Sequence, residues 1–291
     1  MKKLIITGAS GFLGWNLCQV AQKDWEIYGT TFTNSIHIPN IQSQKIDLTN
    51  LTELKTFFQE IQPNAVIHTA ALSKPNACQN DPDSSYKINV TATCNITDLC
   101  AEYEIPCAFT STDLVFNGLN SPYTETDSVS PICYYGEHKA IAEQEILKRY
   151  PETAICRMPL MFGIPSPTSN SFIQPFIQTL RDRKPLSLFT DEFRTPVSGT
   201  TAAKGLLLAL GNVQGIIHLG GKERISRYEF GCLMAEVLEL PKHQLSTCLQ
   251  TDVPMAAPRS PDTSLDSSKA FALGYQPLSL RQELELLKGK I

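Results

Sequence analysis

The chain has 291 residues, 42% of them hydrophobic and 19% charged, an ordinary globular balance with enough apolar mass for a sizeable core. The formal net charge is -4 and Lys and Arg form no run, which argues against a protein that neutralises a nucleic-acid backbone. The apolar stretch 4–6 is too short for a signal-peptide core, nothing approaches the ~18 apolar residues of a membrane span, and the nine Cys lack CxxC spacing. The expectation is a cytoplasmic protein with reduced thiols and no metal, nucleic-acid or membrane partner.

Residues 3–7 read as an apolar strand that stops at Gly8, and 11–22 as the helix after it. Strands are expected at 26–31 and 44–47. Leu51, Leu54, Phe57, Phe58 and Ile61 repeat at helical spacing. A strand at 65–69, a long helix over 84–103, a strand at 107–110, a helix over 135–149 and a strand at 153–158 follow. Strand alternating with helix implies parallel pairing through right-handed crossovers, hence a doubly wound α/β sheet of the NAD(P)-binding Rossmann type. After Phe162 prolines punctuate the chain, at Pro165, Pro167, Pro175 and Pro185. Helices are expected there at 172–183, 201–210, 226–238 and 280–287, with strands at 186–189 and 216–219. The reading is a dinucleotide-binding domain over 1–162, its sheet completed by later strands. Residues 163–291 form a smaller, interleaved substrate lobe.

Between the first strand and first helix stands Thr7-Gly8-Ala9-Ser10-Gly11-Phe12-Leu13-Gly14. Gly8 permits a tight turn, Gly11 a close approach of main chain to a pyrophosphate, and Gly14 close packing of helix on sheet. The helix N-terminus then faces the phosphates with free N–H groups. The GxxGxxG spacing departs from GxGxxG. Where NAD-binding sites place a carboxylate at the end of the second strand, this chain has Tyr28-Gly29-Thr30-Thr31-Phe32-Thr33-Asn34. Without an acid there, NADP is favoured weakly over NAD, with hydroxyls of Thr31, Thr33 and Ser35 available to either.

Tyr135 and Lys139 lie four apart and share a helix face. A tyrosine of ordinary pKa, about 10, transfers protons poorly at neutral pH, and a neighbouring ammonium is expected to lower it. Tyr135 then protonates a carbonyl oxygen, and Lys139 also holds the cofactor's ribose. Tyr134 competes for the role but lacks a Lys four residues on. Ser111-Thr112-Asp113 sits at the carboxyl end of a parallel strand, where such sheets bind ligands. Thr112 is favoured over Ser111 to orient the substrate oxygen.

With these residues in hand, the sequence resembles the extended short-chain dehydrogenase/reductases of the dTDP-4-dehydrorhamnose reductase type, over nearly the whole chain. The likeness rests on residues 7–14, Asp47-Leu48, His68-Thr69-Ala70-Ala71, Asn89-Val90, residues 111–116, Tyr135-Gly136-Glu137-His138-Lys139, Arg157-Met158-Pro159, Ala257-Pro258-Arg259 and Thr263-Ser264-Leu265-Asp266. It implies that Asp47 and Leu48 receive the adenine, that small Ala70 and Ala71 line the cofactor channel, and that Asn89 binds main chain and holds the active-site helices. Arg157, Arg194 and Arg259 are the candidates for a nucleotide-sugar diphosphate. Bland alternatives stand beside these: Asp47 as a helix cap, the alanines as packing, each arginine as an ion pair. The chain departs from the family at Leu114, where Tyr is usual, at His138 before Lys139, and at Met158-Pro159-Leu160. The implied activity is reduction of a keto sugar nucleotide, with homodimerisation left open. An epimerase-reductase would need a further acid/base couple, for which Cys107, Cys133, His68 and His138 are available by type. The same fold also serves as a non-catalytic regulatory subunit, in the methionine adenosyltransferase beta subunit.

Overall fold

The computed structural model describes residues 1–33, 38–39 and 41–291. β1 (Lys2–Thr7) leads through the glycine turn into α1 (Phe12–Ala21), followed by β2 (Trp25–Thr31), β3 (Gln42–Lys45), α2 (Leu51–Ile61) and β4 (Ala65–His68). Two short helices, α3 (Pro75–Asn80) and α4 (Pro82–Tyr86), come next. α4 runs through a π-helical turn at Lys87–Thr91 into α5 (Ala92–Glu102). The helix expected over 84–103 is therefore one rod with a widened turn in it. β5 (Cys107–Thr112), α6 (Tyr134–Arg149) and β6 (Ala154–Met158) follow. The second half contains β7 (Met161–Phe162), α7 (Ile173–Arg181), β8 (Leu186–Phe189), β9 (Phe193–Arg194), β10 (Val197–Ser198), α8 (Gly199–Asn212), β11 (Gly215–His218), β12 (Ile225–Ser226), α9 (Arg227–Val237), β13 (Leu245–Cys248), α10 (Ser268–Ala272) and α11 (Leu280–Glu285).

Seven strands lie in one parallel sheet in the order β11-β6-β5-β4-β1-β2-β3. Alternation along β1 feeds two cores. Leu4 and Ile6 pack with Leu13 and Leu17 of α1 and Ala202 and Leu206 of α8. Ile5 packs on the other face with Leu54 and Phe57 of α2 and Ile96 and Leu99 of α5. A separate core, built around Phe162, Ile177, Phe230, Met234 and Leu284, joins α7, α9 and α11. Glu283 of α11 is buried and accepts from the Ser198 main-chain nitrogen at 2.6 Å, tying the end of the chain to β10.

Two strand boundaries differ from expectation for tertiary reasons. β3 pairs residues 42–45, not 44–47, because its register is set by Tyr28–Thr31 of β2. Its residues Gln42–Lys45 are all exposed, as suits an edge strand without an apolar face. β5 extends to Thr112 because β6 continues to pair with it as far as Met158.

Candidate active site

The glycine turn is held by both its own geometry and the neighbouring strand. Gly8 has φ +69°, and a Cβ there would lie 2.8 Å from the Ala70 Cα, so only glycine fits. A Cβ on Gly14 would stand 2.3 Å from the Gly8 carbonyl oxygen. The Thr7 hydroxyl accepts from the main-chain nitrogens of Thr69 at 3.1 Å and Ala70 at 3.2 Å, joining the ends of β1 and β4 and setting Ala70 and Ala71 beside the turn. Gly11 caps α1 with no side chain, which leaves the first-turn N–H groups of Phe12, Leu13 and Gly14 without a side-chain acceptor. The Ser10 carbonyl accepts from the hydroxyls of Ser166 and Thr168, both at 2.8 Å. The segment after β7 therefore folds against the turn, a contact the sequence did not signal.

At the end of β2, Thr31 is buried and its carbonyl accepts from Ile46 N at 2.9 Å, while Thr33 is exposed. Ser35 lies outside the described residues. Asp47 accepts from the main chain and hydroxyl of Thr49, at 2.9 and 2.7 Å. It shapes the turn before α2 but does not cap it; Asn50 does, accepting from Glu53 N at 3.2 Å. Leu48 is half-buried against the core beneath α2, and its carbonyl accepts from Asn95 at 3.0 Å.

Tyr135 and Lys139 begin α6, and Gly136 between them explains how close the helix comes. A Cβ on Gly136 would fall 2.1 Å from the Leu114 carbonyl oxygen, so any other residue would push α6 away from the turn after β5. That approach brings Tyr135 to Thr112, whose nearby hydroxyl favours the phenolate. The Thr112 hydroxyl donates to Asp113 at 3.1 Å and accepts from Leu114 N at 3.2 Å. Asn89, in the widened turn of the α4–α5 rod, bonds both main-chain groups of Leu72, at 3.0 and 3.1 Å, and also donates to Ser85.

The expected electrostatics of the pair are corrected. Burial is the largest influence on Tyr135 and pushes its pKa up, with the Asp113 carboxylate adding to the effect. Burial likewise pulls Lys139 down from 10.5 to about 7, with Glu143 opposing. Desolvation, and not the mutual help that spacing alone suggested, is the largest influence on both. The Lys139 ammonium is buried over the Phe109 ring, 4.0 Å from its centroid. Among the described residues no protein group is hydrogen-bonded to it.

Three polar residues expected to meet substrate are engaged elsewhere. The Arg157 guanidinium is 2% exposed and forms a forked pair with Glu143, Nη2 to Oε2 at 2.7 Å and Nε to Oε1 at 3.0 Å. The Ser111 hydroxyl donates to the same carboxylate. Successive β5 side chains alternate faces, so Thr112 reaches the Tyr135 side and Ser111 does not. Arg194 is buried, with Nε 3.4 Å from Asp113 and Nη2 bonded to the Ser260 carbonyl at 3.0 Å. Arg157 and Arg194 are thus structural ion pairs in this state, because β6 and β9 turn them inward. Arg259 is half-buried, and its only hydrogen bond among the described residues goes to the Met255 sulfur at 3.4 Å.

The remaining acid/base candidates are also placed. Tyr134 is 38% exposed and stacks on His138. His138 bonds Ser85 at 2.8 Å. His68 lies between the hydroxyls of Thr7 and Thr93 and is held neutral by burial, its pKa pulled down to about 3. Cys107 is buried in the core under α2 and α5. Only Cys133 shares a cluster with Tyr135. Asp113 and Glu143 were missed; Glu143 had a signal, being four residues beyond Lys139 on the same face.

A parallel seven-stranded sheet with a glycine turn after β1 and a Tyr-x-x-x-Lys pair at the head of α6 defines the extended short-chain dehydrogenase/reductase class, an NAD(P)-dependent oxidoreductase-like group that binds nicotinamide dinucleotides. The chain belongs to the RmlD substrate-binding-domain family, whose model matches residues 1–288. It is 26% identical over 307 residues to a dTDP-4-dehydrorhamnose reductase of Aggregatibacter actinomycetemcomitans, covering 99% of both chains. It is 27% identical over 283 residues to the methionine adenosyltransferase 2 subunit beta of Rattus norvegicus, covering 94% of this chain and 83% of that one. Among solved structures, a hypothetical dTDP-4-dehydrorhamnose reductase from Sulfolobus tokodaii superposes with TM-score 0.83 at 30% identity, covering 96% of this chain and 98% of that one. The fold also matches a dTDP-4-dehydrorhamnose reductase of Bacillus anthracis in complex with NADP, at TM-score 0.88 and 23% identity, with 99% of each chain covered.

Proposed function

We propose that this protein is an NAD(P)-dependent reductase of a keto sugar nucleotide, with Tyr135 as proton donor. The observation that carries the reading is Lys139: a buried ammonium one turn beyond Tyr135 on α6, with no hydrogen bond to protein among the described residues. A buried charge without a partner is unfavourable, and a ribose or substrate oxygen would satisfy it. The glycine turn fits a dinucleotide's phosphates, since a Cβ at Gly11 would meet only the Gly8 carbonyl oxygen within 4 Å, at 3.2 Å, and the α1 N-terminus has no side-chain cap.

A bound nicotinamide dinucleotide supplies the hydride. Residues Gly8 to Gly14 hold its phosphates, Ala70 and Ala71 admit it along the ends of β1 and β4, and Asp47 and Leu48 flank its adenine. NADP is the preferred form, because no carboxylate among the described residues at the end of β2 repels a 2′-phosphate. Thr112 orients the substrate carbonyl. The buried Tyr135 stays protonated until the oxygen gains charge, then gives its hydroxyl proton to that oxygen; Lys139 stabilises the phenolate left behind. Arg259 is the candidate for the substrate diphosphate. Residues 1–162 form the cofactor half and 163–291 most of the substrate lobe. The expected setting is cytoplasmic.

The test is a panel of 4-keto sugar nucleotides assayed for NADPH and NADH oxidation with native protein and Tyr135→Phe. Turnover by native protein is expected, with a drop of roughly 10²–10⁴-fold in the variant and cofactor binding retained. Equal rates in both proteins would remove Tyr135 from the mechanism. The likeness to the methionine adenosyltransferase 2 beta subunit favours a second reading, a dinucleotide-binding regulatory subunit. Cofactor binding without turnover of any member of the panel would favour it.

A further inference from the structure

The residue before Lys139 has no part in the reductase reading, yet it closes a chain of buried hydrogen bonds. His138 is buried on α6, and its Nδ1 lies 2.8 Å from the Ser85 hydroxyl of α4. Ser85 is buried too, and its oxygen stands 3.1 Å from Asn89 Nδ2. Asn89 then grips one residue by both main-chain groups. Its Oδ1 accepts from Leu72 N at 3.0 Å, and its Nδ2 donates to Leu72 O at 3.1 Å. The Cys78 thiol of α3 donates to the same carbonyl at 3.1 Å.

The direction of each bond follows from the donors available. Asn89 presents its oxygen to the Leu72 N–H, so its amide hydrogens go to the Leu72 carbonyl and to Ser85. The Ser85 hydroxyl, already an acceptor, is left to donate, and His138 Nδ1 receives that hydrogen. The imidazole is then neutral with its own hydrogen on Nε2. Burial favours this form by lowering the His138 pKa, with Glu137 opposing. Without an acceptor at 138 the Ser85 hydroxyl competes for the Asn89 oxygen. An amide turned to meet it would set its NH2 against the Leu72 N–H.

The chain of bonds joins two parts of the proposed site. His138 follows Tyr135 by three residues on α6, and Leu72 follows Ala70 and Ala71 after β4. The Leu72 side chain also packs in the cluster of Tyr135 and Cys133. Tyr134 stacks on the imidazole at 5.8 Å between centroids, and Tyr86 meets it edge-on at 5.5 Å. Resting on the reductase reading, we propose that His138 is a positioning residue. Through Ser85 and Asn89 it fixes the Leu72 main chain, and with it the channel that admits the dinucleotide between Ala70-Ala71 and the head of α6.

The experiment compares native protein with His138→Leu, His138→Asn, Ser85→Ala and the His138→Leu/Ser85→Ala double variant. It reads NADPH affinity by nicotinamide fluorescence, hydrogen exchange at the Leu72 amide against the β4 amides, and steady-state rates on the keto sugar nucleotides. His138→Leu should bind NADPH about 10-fold more weakly and exchange the Leu72 amide about 10-fold faster. Its kcat should stay within about 3-fold of native, with the loss falling on KM for NADPH. His138→Asn, whose amide oxygen can stand where Nδ1 does, should recover most of both losses although the ring contacts are gone. Ser85→Ala should weaken binding in the same sense, and the double variant should be little worse than His138→Leu, since both cut one link. Thermal melts accompany each, and Ser85→Ala, the smaller change, reads the link should His138→Leu not fold. Native affinity and native Leu72 exchange in His138→Leu overturn the inference, and with turnover intact leave the reductase reading standing. Equal losses in His138→Asn and His138→Leu also overturn it, by assigning the effect to the ring. Weaker NADPH binding and faster Leu72 exchange in His138→Leu, with no keto sugar turned over by native protein, support the link and overturn the reductase reading.

Discussion

Helix α6 carries two buried charges one turn apart, and the protein treats them in opposite ways. Glu143 is fully answered, by the forked Arg157 pair and the Ser111 hydroxyl. Lys139 has only the face of Phe109 and, among the described residues, no hydrogen-bonded partner. The first is a closed network, which stabilises only while every member is present. The second is an open one, held at unfavourable free energy and available to a ligand. A buried charge speaks for function when the protein leaves it unpaired, and for architecture when it is matched.

Substitutions at these two positions should therefore diverge. Lys139→Met is expected to lower turnover by roughly 10²-fold or more while raising stability by about 1–3 kcal/mol, since it removes an unpaired buried cation; denaturant melts beside steady-state rates check both. A loss of stability would mean that the ammonium is answered after all. Glu143→Leu should cost about 3–5 kcal/mol by stranding Arg157, with much of the loss recovered in the Glu143→Leu/Arg157→Met double variant, again by denaturant melts.

A pH series sharpens the contrast. Lys139 has its folded pKa depressed from 10.5 to about 7, so between those values the unfolded chain binds more protons and stability rises with pH. The ammonium itself is lost in the folded protein as pH rises through about 7, so affinity for NADP should fall several-fold across that point, measured by nicotinamide fluorescence. Lys139→Met should flatten both trends. The smallest effect is expected at Tyr134, exposed and stacked on His138: Tyr134→Phe should leave turnover within about 2-fold of native. A large loss would reassign the proton donor.

Much of this arrangement was legible in the chain, and the unread parts share a cause. Apolar runs such as Leu4–Ile6 mark the strands, and the glycines of residues 8–14 mark the turn, because short-range sterics act within a few residues. The i, i+4 spacing put Tyr135 and Lys139 on one face. The same spacing could not show that burial would raise one pKa and lower the other, because desolvation depends on the whole packed surroundings. Arg157, Arg194 and Ser111 were open between substrate contact and structure; Glu143 lies 14 residues from Arg157 and 32 from Ser111, and Asp113 and Ser260 lie 81 and 66 residues from Arg194. Ser166 and Thr168 reach Ser10 across more than 150 residues, and no local pattern reports such a contact.

By itself the sequence determined the alternation of strand and helix, the glycine turn and the shared face of the two candidate catalytic side chains, since these follow from backbone sterics and periodicity. Only the tertiary structure decided which charges are paired, which stay open and how far burial moves each proton. Those depend on groups that the chain brings together from far apart, and on the exclusion of water around them.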